Sequence, residues 1–178
     1  WARAAGSPMV AIGGASLGAL TSQLTATVSG SWPQDLRPDA LLLVATTGRP
    51  IEIVSSGSLA RSIGLPKVLE QAGWTAPHIE RWLGLFEPRM APIVPPDRIV
   101  IVLGRADDLM PHEGGIDLAH RWGVPANNVF VQPQGHFSVS LALLNDPEPM
   151  RRFASILGSQ VELPLPQSPR RRLIGRRT

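Results

Sequence analysis

At 178 residues and 43% hydrophobic composition, the chain is long enough for one domain with a real core. The absence of cysteine excludes disulfides, thiolate metal sites and a cysteine nucleophile, and accords with a reducing, cytoplasmic setting. The net charge of +3 is not a binding face: Arg170, Arg171, Arg172, Arg176 and Arg177 fall in the last nine residues, and without them the body is near −2.

In chain order, Trp1 to Ala5 reads as the end of a helix closed by Gly6 and Pro8. The chain opens on Trp1 rather than Met and enters a strand almost at once, so its native start, with any signal peptide, is expected upstream. Met9 to Gly13 reads as a buried strand, and a helix runs from Ser16 to about Val28. Gly30 to Pro38 is a loop, and Ala40 to Ala45 is a continuous apolar run of the kind a strand covered on both faces shows.

From about residue 47 to 96, glycines and prolines cut the chain into short pieces. Helical runs are predicted over Ser58 to Ile63, Pro66 to Ala72 and Pro77 to Phe86, the last with Thr75 as N-cap. Such a stretch between two strands predicts a lid rather than a second domain. A third strand spans Arg98 to Leu103, a helix Glu113 to Trp122, and a fourth strand Asn128 to Gln132. A helix from about Phe137 to Leu144, an interruption at Asp146 to Pro149 and a helix from Met150 to Leu157 close the fold. Residues 159–178 alternate proline with leucine and then turn arginine-rich. They are assigned no structure and read as a solvated tail, with no nucleic acid expected as a partner. No apolar run nears the ~20 residues that a membrane span needs. Apolar strands alternating with helices predict an α/β parallel sheet.

The chemistry is expected where strands end. Gly14-Ala15-Ser16-Leu17-Gly18 joins an apolar run to a helical one, which puts Ser16 at the tip of a sharp turn. Glycines two residues to either side are expected to be needed for room, since a side chain at Gly14 or Gly18 would crowd the adjoining strand and helix. The Leu17 amide would then face a developing oxyanion. The third strand leads to Asp107 and the fourth to His136, so three parallel strands can bring Ser16, Asp107 and His136 to one sheet edge. A serine needs a base to take its proton, and an imidazole needs a carboxylate to fix its tautomer. Asp107 or its neighbour Asp108 can supply that carboxylate. His78, His112 and His120 read as surface or capping residues, and no cofactor or metal is expected. Trp82 and Phe86 read first as packing residues of the lid, and, if the lid covers Ser16, as candidates for lining an apolar pocket there.

In these residues the chain resembles the α/β-hydrolase superfamily from its nucleophile elbow onward. The likeness lies in the elbow at Ser16, in Gly104-x-x-Asp107-x-x-x-Pro111, and in Gly135-His136, in the order Ser, Asp, His, over Met9 to Leu157. The resemblance implies a serine hydrolase acting on an acyl ester or thioester through an acyl-enzyme, with Ser16 as nucleophile, His136 as base and Asp107 as its orienting acid. It implies residues 1–158 as a partial hydrolase core, with the lid inserted at about 47–96. The strands that precede the elbow in the family, and the loop that carries its second oxyanion amide, have no counterpart here. The missing half is therefore expected upstream or on a complementing chain, and the 178 residues alone are expected to lack competent catalysis. The other reading is a non-catalytic scaffold or fragment acting through protein interactions.

Overall fold

The computed structural model describes residues 2–55, 57–84, 87 and 90–158. Four strands form one parallel sheet, β1 (Ala11–Ala15), β2 (Ala40–Val44), β3 (Ile99–Gly104) and β4 (Val129–Gln132), and their order across the sheet is their order in the chain. Eight α-helices are described: α1 (Leu17–Val28), α2 (Pro50–Ser55), α3 (Ser58–Ser62), α4 (Leu65–Gln71), α5 (Ala76–Leu83), α6 (His112–Trp122), α7 (His136–Ala142) and α8 (Glu148–Ile156). The fold is α/β with a parallel sheet, as its alternating apolar and helical segments predict.

The sheet is covered on both sides, and strand alternation decides which residue goes where. Leu41, Leu43, Ile99, Ile101 and Leu103 join Ala19 and Ala26 of α1 and Leu118, Ala119 and Trp122 of α6 in one buried cluster. Ala40, Val44, Val100 and Val102 join Val139 of α7 and Phe153 of α8 in the other. β2 and β3 are the inner strands, and every residue of β3 is buried. A buried polar tie locks the turn before β4: Asn128 donates from Nδ2 to the Asp97 carbonyl (2.9 Å), while its Oδ1 accepts from Arg152 Nε of α8 (2.6 Å).

Several boundaries move for physical reasons. β1 begins and ends two residues later than the pattern predicts and contains Gly13 and Gly14, so the apolar run extends through the glycines to Ala15. α2 is a helix that the pattern misses. Pro50 stands at its first position, where a proline opens a helix rather than breaking one. Likewise Pro149 lies in the first turn of α8, so the predicted interruption is the start of that helix. The N-terminal residues form a turn (Ala5 N–H to Ala2 carbonyl, 3.2 Å) in place of a helix end, and Trp1 lies outside the described residues. Thr75 does cap α5 in backbone terms, but its hydroxyl meets His78 Nδ1 (2.9 Å) and not a backbone amide. Phe86 and the tail 159–178 lie outside the described residues.

The segment between β2 and β3 holds α2 to α5 and is tied to the core through α6 and the loop before it. Arg49 pairs with Asp117 of α6 and with Glu52, and Arg121 of α6 pairs with Glu87 (3.8 Å) and donates to the Gly48 carbonyl (3.0 Å). The Ser58 amide donates to the Asp108 carbonyl (3.2 Å). The Arg49 guanidinium is held above its already high ordinary pKa, first by its hydrogen bond to Glu52 and then by the charge of Asp117. Among the described residues no helix is long and apolar enough to cross a membrane.

Candidate active site

Ser16 belongs to a strand and a helix at once. Its amide donates to the Val44 carbonyl (3.0 Å), one step past the β1–β2 ladder, and its own carbonyl accepts from the Ala19 and Leu20 amides at the head of α1 (2.9 and 3.1 Å). A chain can serve both ladders through one residue only by turning sharply, and Ser16 does so at φ 55°, ψ −120°. A positive φ is uncommon for a residue with a Cβ and is held only by the bonds around it.

The flanking glycines are not equivalent. A Cβ on Gly14 would lie 2.5 Å from the carbonyl carbon of Gly18, so Gly14 must be bare for α1 to fold back over β1. A Cβ on Gly18 would meet nothing within 4 Å. The expectation that both positions need glycine for room therefore holds for Gly14 and fails for Gly18, which faces open space.

Asp107 and His136 follow β3 and β4. Asp107 is 5% exposed, and burying a carboxylate is costly unless donors surround it. Its Oδ1 accepts from the Leu109 and Met110 amides (3.0 and 2.8 Å), and its Oδ2 faces Nδ1 of His136 at 2.8 Å. His136, 8% exposed, stands at the first position of α7. There the Gly135 amide donates to Ser138 Oγ (3.1 Å) and fixes the helix start. With a carboxylate at Nδ1, the neutral ring keeps its proton on Nδ1 and turns the lone pair of Nε2 outward. Nε2 lies 2.7 Å from Ser16 Oγ. The structure thus brings Ser16, His136 and Asp107 into one continuous hydrogen-bond chain across the C-terminal ends of β1, β3 and β4, while Asp108 stays exposed outside it. Leu17 opens α1, and its amide is one of the first-turn donors that a helix's own ladder leaves without an acceptor.

Trp82 is placed elsewhere. It lines a cavity of about 210 Å³ with Ala72, Gly73, Trp74 and His78, all within the segment between β2 and β3. Neither Ser16 nor His136 borders that cavity. Among the described residues no cluster of three or more His, Asp or Glu side chains is arranged to hold a metal ion. Sequence reasoning took Gly104 only as a spacing mark for Asp107 and missed its close approach to a carbonyl thirty residues further on. It also missed Ala45, a second residue with positive φ (49°), at the end of the strand beside Ser16.

The chain matches no protein-family model and none of the curated proteins. Among solved structures it is similar to a hydrolase from Pseudomonas aeruginosa PA01. The two are 19% identical over 89% of this chain and 68% of that one, with a TM-score of 0.43. A likeness of that size carries no statement about what this chain does.

Proposed function

We propose that this chain bears the acyl-cleaving site of a serine hydrolase of the α/β-hydrolase kind, acting on an ester or thioester. The observation that carries this reading is the Ser16–His136–Asp107 chain, 2.7 Å at Ser16 Oγ and 2.8 Å at Asp107, with the serine on a strained turn at the sheet's C-terminal edge.

Ser16 Oγ attacks the carbonyl carbon as Nε2 of His136 takes the hydroxyl proton. Asp107 holds the Nδ1–H and stabilises the imidazolium. The carbonyl oxygen becomes an oxyanion toward the Leu17 amide. Collapse expels the alkoxide or thiolate, which receives the proton from Nε2, and leaves an acyl-enzyme on Ser16. Water then attacks the acyl carbon with His136 again as base, and the acid leaves. In this reading residues 47–96 are the lid, and Trp82 with Phe86 serves the acyl group only in a closed arrangement.

β1 is an edge strand with nothing paired on its outer side among the described residues, and Leu17 supplies a single amide donor. Both features favour a further segment, upstream or on another chain, that completes the sheet and the oxyanion site. The open edge also supports the second reading, a scaffold that works by association.

Reaction with a fluorophosphonate, read by intact mass and peptide mapping, tests the hydrolase. One adduct on Ser16 is expected, absent in Ser16→Ala and about 100-fold or more slower in His136→Ala. A folded protein with its sheet completed that takes no adduct overturns the hydrolase and leaves the scaffold.

A further inference from the structure

The carboxylate and the imidazole sit on two loops, and something must fix the distance between those loops. Gly104 closes β3 directly opposite Gln132, the last residue of β4. Beyond that pair the two chains stay in contact. The Arg105 amide donates to the Gln132 carbonyl (2.7 Å) and the Ala106 amide to the Gln134 carbonyl (3.2 Å). A Cβ on Gly104 would overlap the carbonyl oxygen of Gln134 and lie 3.5 Å from the Cβ of Asp107. The approach is reciprocal, since a Cβ on Gly135 would stand 3.2 Å from the Ala106 carbonyl oxygen.

Gly104 is not among the residues with positive φ, so its backbone would accept any side chain. What excludes one is space. The oxygen in the way is backbone, and it belongs to the loop that ends two residues later at His136. Relieving the overlap shifts one loop against the other, and with it the spacing of the imidazole and Asp107.

We propose that Gly104 is a positioning residue for the Asp107–His136 pair, its bare α-carbon setting the gap between the acid loop and the histidine loop. The role of that pair rests on the hydrolase reading, whereas the spacing does not. Gly104 touches no substrate and acts only through the two side chains that it brings to 2.8 Å.

The test is Gly104→Ala, with two readouts. The first, taken on the 178-residue chain, is the downfield proton resonance of a histidine Nδ1–H bonded to a carboxylate, assigned by its loss in Asp107→Asn. It is expected in the parent and shifted or lost in Gly104→Ala while the methyl spectrum stays dispersed. The second is the fluorophosphonate labelling rate, read on the chain with its sheet completed and expected to fall about 100-fold, the scale of an ångström's misplacement of reacting groups. In the Asp107→Asn background the same substitution should change the rate less than ~2-fold, because the distance it disturbs no longer matters.

An unchanged resonance in a folded Gly104→Ala overturns the proposal, and so does an equal loss of rate with and without Asp107. If Gly104→Ala does not fold, Gly135→Ala presses on the same contact more gently and must still shift the resonance. A parent that shows the resonance but takes no label even with its sheet completed defeats the hydrolase reading alone.

Discussion

Ser16 shows what a single residue is asked to do when a strand becomes a helix without a loop. Its left-handed φ costs ~1–3 kcal/mol, which the surrounding bonds to Val44, Ala19 and Leu20 must offset. That strain can be measured apart from the hydroxyl. Ser16→Gly and Ser16→Ala both remove the hydroxyl, but only glycine relaxes the turn. The glycine variant should be the more stable by ~1 kcal/mol in urea unfolding, after allowing for glycine's greater freedom in the unfolded chain. Equal midpoints would mean that the turn is not strained. The strand-to-helix turn at Ser16 was legible in the sequence because an apolar run, a serine between spaced glycines and a helical run stand together. Which glycines are needed for room was not legible. Gly14 opposes the backbone of Gly18, Gly18 opposes nothing, and Gly104 opposes a carbonyl that only the β3–β4 pairing brings near.

At the level of elements, β2 and β3 could be read directly because both faces of each are apolar and both are covered. Their alternation sends Ile99, Ile101 and Leu103 toward α1 and α6, and Val100 and Val102 toward α7 and α8. Ile101, with no exposed surface, should lose ~2–5 kcal/mol on truncation to alanine. Ile63, beyond the end of α3 and largely exposed, should lose no more than ~0.5 kcal/mol. Chemical denaturation of the two variants checks the pair, and similar losses would place the core elsewhere. The short helices were harder to read, because proline has opposite meanings at the first turn of a helix and beyond it. Pro50 opens α2, a helix too short to leave a clear apolar period of its own.

For the whole molecule, the parallel sheet and the convergence of three strand ends follow from apolar strands alternating with helices. The seat of the segment between β2 and β3 does not. It involves Val94 in the core and pairs such as Arg49–Asp117 and Arg121–Glu87, which join residues far apart in the chain and leave no local pattern. The cavity beside Trp82 is local, lined by residues 72–82, but it forms only once the helices on either side of Gly73 are set against each other. The open edge of β1 has a consequence for the free chain. Unpaired amides and carbonyls along an apolar edge invite pairing with another strand. Light scattering of the 178-residue chain should show association that grows with concentration. Ala15→Lys, which puts a charge at an exposed position of β1, should reduce it. Association indifferent to that charge would point to another surface.

The order of the strands also bears on how the chain comes to be folded. Because neighbours in the sheet are neighbours in sequence, each strand emerging from a ribosome finds its docking edge already made, and assembly can advance from the N-terminal side without waiting for the chain to finish. The steps are not equal. β1 meets β2 across residues 16–39, and β3 meets β4 across 105–128, but β2 meets β3 only across residues 45–98. That closure spans roughly twice the chain and carries ~0.6 kcal/mol more entropic cost. The β2–β3 junction, where both inner strands and both buried clusters meet, is therefore expected to be the costliest joint of the sheet to close.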